Sequence, residues 1–388
     1  MRLSTGALLL AIGLLPEAWP RLIAANRALL ARMEAFEQRI EQESAIGRAL
    51  RPHAQWLLTG WLGAGNERVY PGRGGWLFYR PDVEYVTGPG FLEEEQIERR
   101  VTSASEWTTP PQADPVAAIV AFKRDLDARG IGLVVLPTPV KPVMHPERLD
   151  SRLEGPLRNP SYARFREALS AAGVAVFDPA DVLEASRGEH YLATDTHWRP
   201  EAMELVAERL ARFLTARWRL PAPAETEYRI ERVEVRNVGD LVGMLDLPAD
   251  QTLFDPESVW LRRVLNADGS MWRSTRSADV LVLGDSFSNI YALESMGWGT
   301  SAGFVEHLSH ALGRPVDRIV QNDEGAFATR AILARDPDRL RHTRLVVYQF
   351  AERELAFGDW KMISSPREAA GSAGAPRSSV RDSQSLQQ

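Results

Sequence analysis

Apolar and polar positions along the chain switch between a helical period and short unbroken apolar runs, and the switch points outline an α/β domain. Between residues 22 and 43, Leu22, Ala25, Leu29, Met33, Phe36 and Ile40 recur at helical spacing among charged residues, which predicts an amphipathic helix. The stretch VYPGRGGWLFYRPD, residues 69–82, sets a Pro-Gly turn and a Gly pair beside an aromatic run and reads as a hairpin. A polar, Pro-containing linker covers about 108–114. After it come a helix over 115–129, a continuous apolar strand at 132–136, a helix over 162–172, a strand at 174–177 and a helix over 200–217. In the last, Met203, Val206, Leu210 and Phe213 mark one face, and Pro200 suits a first helical position. Residues 218–278 change to period-two alternation, as in YRIERVEV, and read as a β-rich insertion. The earlier pattern then resumes: strand 280–283, helix 302–312, strand 316–320, helix 326–334 and strand 345–350. Repeated strand–helix alternation with apolar strands implies a parallel sheet covered on both faces.

The two ends differ from this body. Residues 7–15 form an apolar stretch behind Arg2 and the free amine, the shape of an export signal or weak anchor but far short of the ~20 residues that span a bilayer. The expected organisation is a signal peptide or weak membrane anchor at 1–24, a helical segment at 25–64, one catalytic domain at 65–362 and a disordered tail at 363–388.

Composition narrows the chemistry. With 46 basic and 52 acidic side chains the net charge is −6, which argues against nucleic acid as the main partner. The chain has no cysteine, so disulfides, thiolate metal sites and cysteine nucleophiles are excluded. Covalent catalysis would then use Ser, Thr, Lys or a carboxylate.

Two constellations carry candidate chemistry. LVLGDSFS, residues 281–288, delivers Gly284, Asp285 and Ser286 to the end of a buried strand, where open α/β sheets hold ligands. Ser286 there is a candidate nucleophile or simply part of a strand-ending turn, and Asp285 reads as a structural hydrogen-bonding residue. YLATDTHWRPEAM, residues 191–203, sets Asp195 two residues before His197 ahead of a Pro-initiated helix. The pair suits a base and the carboxylate that orients it; alternatively Asp195 caps the helix and His197 is a surface histidine. On one sheet rim, the two motifs would supply nucleophile, base and orienter for acyl transfer. Metal hydrolysis fares worse, since only His307 and His310 have helical i,i+3 spacing, without an acidic partner, and they read as solvent-facing.

These motifs resemble the SGNH (GDSL-type) hydrolase fold with its order permuted. VLVLGDSFS and VDRIVQNDEGA resemble the first half of that fold, and 131–215, with DTHW, the second half. The permuted order, the Asp-x-His spacing, GRGGWLFYR, VGDLVGMLDLP and FAERELAFGDW are similar to the AlgJ/AlgX-type alginate O-acetyltransferases, over about residues 65–362. The resemblance implies a three-layer α/β fold and periplasmic acetylation of exopolysaccharide hydroxyls, beside a membrane-bound O-acyltransferase and possible association with the inner membrane. It needs no cofactor, and leaves the acetyl donor unnamed. It further implies Ser286 as nucleophile, His197 as base, Asp195 as its orienter, and an oxyanion hole from the Ser286 and Gly325 N–H groups with Asn322 as a substitute third donor. The third block departs from the pattern: Ala351, Glu352 and Arg353 stand where an asparagine is expected. Trp198, Tyr291 and Trp298 are sugar-stacking rings or core residues, and Arg353 is a candidate substrate contact. A carbohydrate acetylesterase with the same triad and a non-catalytic glycan-binding protein remain alternatives. The absence of a further β-rich module after the domain is closer to the AlgJ-like form.

Overall fold

The computed structural model describes residues 45–363, except 103–110, 154, 156, 219, 221–225 and 323–324. The apolar leader, the helix expected over 22–43 and the tail from 364 lie outside the described residues. Two compact units are distinguished. In the smaller, helix Ala45–Leu62 leaves Leu57, Leu58, Trp61 and Leu62 exposed, and Thr59 Oγ1 donates to Ala64 O at 2.9 Å. Residues 246–253 belong to the same unit.

The larger unit is built on a five-stranded, all-parallel sheet in the order β4-β3-β9-β7-β8. Its strands are β3 (Gly132–Thr138), β4 (Ala175–Val176), β7 (Val280–Gly284), β8 (Asp317–Val320) and β9 (Leu345–Ala351). Two antiparallel pairs stand outside it: β1 (Val69–Pro71) with β2 (Leu77–Tyr79), the expected hairpin, and β5 (Tyr228–Asn237) with β6 (Glu257–Asn266). The unbroken apolar strands feed two cores, because successive side chains point to opposite faces. Val134, Leu136, Val280, Val282, Leu345 and Val347 enter one core with helices Pro200–Arg217 and Phe304–Leu312. Leu133, Val135, Leu281, Leu283, Val346 and Tyr348 enter the other with helices Pro115–Asp127, Tyr162–Ala171 and Phe327–Arg335. This is the three-layer α/β arrangement expected.

Differences cluster where elements are short. Helix Arg80–Thr87 follows the hairpin directly, with helix Glu94–Thr102 after it; the first carries Pro81 in its first turn and buries Asp82, Val83, Tyr85 and Val86 in too few turns to show a period. β4 keeps only two paired residues. The β-rich stretch is a single ten-pair ribbon, interrupted between its strands by helix Asp240–Met244. Among the described residues no helix is long and apolar enough to cross a membrane.

Candidate active site

The C-terminal ends of β9, β7 and β8 converge, and the tie between them starts at one polar residue in an otherwise apolar strand. Gln349 of β9 accepts from Asp285 N at 2.9 Å and Ser288 Oγ at 2.7 Å through its Oε1. Its Nε2 donates to Asp285 Oδ1 at 2.7 Å and Thr138 Oγ1 at 3.0 Å. Asp285 Oδ2 accepts from Ala351 N at 2.7 Å, and Oδ1 also caps helix Ser286–Asn289 through Phe287 N at 2.9 Å. Both Asp285 oxygens are therefore committed to holding the turn, the structural role its position suggested. Half-buried Ser286 opens into a cleft that it shares with Asn322, Gly325 and Arg353.

The Asp195/His197 loop is held as firmly. Ala193 N, Thr194 N and Thr194 Oγ1 donate to the Glu257 carboxylate at 3.2, 3.0 and 3.1 Å. Lys141, fully buried, donates to Leu77 O at 2.7 Å and Ala193 O at 3.2 Å. A Cβ on Gly239 would stand 2.2 Å from Thr194 O, so only glycine lets this backbone pass. Within the loop, His197 Nδ1 lies 2.7 Å from Asp195 Oδ1, and His197 N donates to the same oxygen at 3.0 Å. Asp195 Oδ2 accepts from Trp298 Nε1 at 2.8 Å and Asp240 N at 3.1 Å. An ionised carboxylate only accepts, which assigns the proton to Nδ1 and leaves Nε2 as the basic nitrogen.

Burial disfavours charge on both partners, yet their mutual hydrogen bond and attraction prevail. Asp195 is held down, to about 2, with help from Trp298 and Asp240 N–H. His197 is raised above its ordinary value by the Asp195 bond and charge. Asp240 moves the other way, raised by burial and then by the Asp195 charge; its Oδ2 lies 4.0 Å from His197 Nδ1 and its Oδ1 accepts from Thr196 N at 2.8 Å. Asp195, His197 and Asp240 form the one group of at least three His, Asp and Glu ligands among the described residues with the reach to share a cation. Both Asp195 oxygens already accept hydrogen bonds, from His197 Nδ1 and N on one side and Trp298 Nε1 and Asp240 N on the other, and a metal on Nδ1 would displace the proton that joins imidazole to carboxylate.

The two loops meet one residue away from the candidate reacting atoms. Phe287 packs its ring 4.8 Å from the His197 imidazole, and Trp198 Nε1 donates to Phe287 O at 3.1 Å. His197 Nε2 is buried and has no hydrogen-bond partner among the described residues, so a Ser286–His197 hydrogen bond is not made. Such bonds are often long without substrate and tighten in the reactive complex.

Three expected substrate contacts are corrected. Trp198, Tyr291 and Trp298 are all 0% exposed and cannot stack on a sugar. Their polar ends hold the site together instead: Trp198 through Phe287 O, Tyr291 by donating to Trp198 O at 2.6 Å, and Trp298 through Asp195. Arg353 does line the cleft, with its guanidinium fixed by Asp82 at 3.0 Å. Burial disfavours its charge, but Asp82 outweighs that and keeps it a permanent cation beside Phe287. Asn322 is exposed, its carbonyl accepting from Asn289 Nδ2 at 2.8 Å and its Nδ2 directed to Met296 Sδ at 3.5 Å. Gly325 has a left-handed φ of 70°, and a Cβ there would meet Glu354 Oε2 at 2.8 Å. His307 is also corrected: it is 5% exposed, packed where helix Phe304–Leu312 meets helix Pro200–Arg217, and burial pushes its imidazole down to about 3.

Sequence reasoning missed Gln349, Lys141 and Asp240 as site-building residues. Gln349 left a trace, the lone polar residue in LVVYQFA. Lys141 left none, because its carbonyl partners are 52 and 64 positions away.

Residues 69–352 match the sequence profile described as "SGNH hydrolase-like domain, acetyltransferase AlgX". A relative named "Probable alginate O-acetylase AlgJ" from Pseudomonas aeruginosa is 27% identical over 301 residues, 75% of this chain and 71% of that one. The protein of the same name from Azotobacter vinelandii is 24% identical over 335 residues, 83% and 78% of the two chains. The solved O-acetyltransferase domain of Pseudomonas putida AlgJ shares the fold, with a TM-score of 0.58 at 24% identity over 78% of this chain and 97% of that one. With the sheet, the permuted strand order and the Asp195–His197 pair already in place, the profile match across most of the chain shows that the protein belongs to the AlgX family of SGNH hydrolase-like acetyltransferase domains.

Proposed function

We propose that the protein moves acetyl groups, through an acetyl-Ser286 intermediate, onto hydroxyls of an alginate-like exopolysaccharide. The observation that carries the reading is the buried Asp195–His197 pair at 2.7 Å, whose outer nitrogen Nε2 is unpartnered beside the Ser286 turn. The names of the relatives, alginate O-acetylase, supply the polysaccharide.

In the first half-reaction His197 Nε2 takes the Ser286 hydroxyl proton as Oγ bonds to the acetyl carbonyl carbon of the donor. The carbonyl oxygen, now negative, rests on the Ser286 and Gly325 N–H groups, with Asn322 as a further donor; each such donor is worth roughly 3 kcal/mol in known cases. Collapse expels the donor's leaving group, which receives the proton from the imidazolium. In the second half the sugar hydroxyl gives its proton to Nε2 and attacks the acetyl carbon, and Ser286 leaves with that proton. Asp195 stays ionised throughout and stabilises the imidazolium. Arg353, permanently charged in the same cleft, adds a fixed positive field and contacts the acceptor.

The reaction belongs in the periplasm, at the inner membrane and beside a membrane-bound O-acyltransferase that supplies acetyl. The apolar run at residues 7–15 and the relatives' role in alginate acetylation support that placement. Wild type and Ser286→Ala are compared on an activated acetyl ester, then with uronate oligosaccharide added. Wild type releases acetate and yields acetylated sugar, while the variant does neither. Equal acetate release by the variant removes Ser286 from the mechanism; acetate alone, with no acetylated sugar, makes water the acceptor.

A further inference from the structure

The β5–β6 ribbon begins at the active site and runs away from it. At its inner end Asn237 pairs with Glu257, the carboxylate that grips the 193–194 backbone just before Asp195. Beyond that pair one face turns outward: Ser258, Trp260 and Arg262 are exposed while Val259 and Leu261 are buried, and Arg232, Glu234 and Arg236 are exposed opposite them. At ~3.3 Å per residue, Arg236 stands one step from the inner pair, Trp260 about 10 Å out and Arg232 about 17 Å out. Trp260 is 44% exposed, unlike the three fully buried aromatic residues of the site. The Arg232 guanidinium lies 4.3 Å over its ring, so the indole and a carboxylate-binding fork form one stacked, exposed pair. Arg262 is turned to Glu204 at 3.0 Å, which leaves Arg232 and Arg236 to face outward around Glu234.

We infer that this outer face, centred on Trp260 with Arg232 and Arg236, is a binding track for an extended anionic polysaccharide whose units carry carboxylates. It rests on the proposed polysaccharide acceptor and gives that acceptor its grip. Continuity with the site argues for the substrate chain itself: Glu257, at the inner end of the ribbon, holds the 193–194 backbone of the loop that carries Asp195 and His197. Alternating sugar faces and carboxylates match a ring flanked by guanidinium groups, whereas a neutral glucan would use only the ring.

The full chain, Trp260→Ala and Arg232→Ala/Arg236→Ala are titrated with polyuronate oligosaccharides, a neutral glucan and polyglutamate, and assayed on the activated acetyl ester. Conservative Arg232→Lys/Arg236→Lys, which keeps charge and loses the fork, is carried alongside. Wild type should bind polyuronate above both controls. Each alanine variant should weaken that binding and acetyl transfer to polymer by about tenfold or more, and leave ester turnover within about twofold, because a bidentate guanidinium or stacked ring is lost far from the reacting atoms. Binding of polyuronate no better than polyglutamate, or by the variants as well as by wild type, overturns the track. Loss of ester turnover in Ser286→Ala tests the acyl-enzyme separately, so either reading can fail while the other stands.

Discussion

Trp298→Phe separates two readings of one residue. From the sequence this indole is either a sugar platform or core; in the structure it is fully buried and donates to Asp195 Oδ2 at 2.8 Å. A hydrogen bond to a charged group is worth about 1.5–3 kcal/mol, and a pKa unit corresponds to about 1.4 kcal/mol, so losing it raises the Asp195 carboxyl by ~1–2 units. Starting from about 2, Asp195 still ionises at neutral pH. The variant therefore keeps the charge and loosens the orientation of the dyad. If about half of the lost energy is felt in the transition state, kcat/KM falls by about four- to thirteenfold. The smaller ring also leaves a void, so stability falls by about 2–4 kcal/mol in all. The assay is kcat/KM on a small activated acetyl ester with no glycan present, beside a thermal melt. Unchanged ester turnover with a raised KM for glycan alone would refute the positioning role and make Trp298 a sugar contact.

His197 must be neutral to act as base, and Asp195 raises it above the ordinary 6.5, so ester kcat/KM should climb with pH through a midpoint above 6.5; a midpoint at or below that value contradicts the coupling. Asp195→Asn removes the cause, lowering that midpoint and, by analogy with serine-protease triads, cutting the rate by up to ~10⁴; a variant within a few-fold of wild type rules out the orienting role. Lys141→Met takes the buried ammonium from Leu77 O, while Ala193 O keeps the Leu77 N–H at 2.9 Å, and should cost about 1–3 kcal/mol in denaturant unfolding; an unshifted midpoint refutes it. Gln349→Leu strips partners from Asp285, Ser288 and Thr138, and should lower both Tm and ester turnover; retention of both would show that the Ser286 turn does not depend on it.

The three-layer fold was legible because its signals are local. An unbroken strand such as VLVLG, buried throughout, and a helix such as 200–217 with one apolar face each declare themselves within a few residues. Asp195 and His197, two positions apart, show their pairing for the same reason. Arg80–Thr87 is too short for a period, and its first residues continue an aromatic run that reads as strand. The aromatic residues near the motifs misled in a different way. Nothing in composition says whether a ring beside a catalytic loop faces outward or braces it, and here Trp198, Tyr291 and Trp298 brace it while the exposed Trp260 lies some 60 positions from the His197 motif. Lys141 and Gln349 work through partners distant in the chain, information that pairing of strands creates and periodicity lacks.

The central claim is that acetyl passes through Ser286. It is tested most directly by quenching the reaction with an activated acetyl ester in acid and mapping the modified peptide by mass spectrometry. The account predicts one acetyl group on Ser286 in wild type, removed when uronate oligosaccharide is added before the quench, and none in Ser286→Ala. Turnover that continues with the acetyl group on another residue, or with no acetyl-enzyme in either protein, contradicts it.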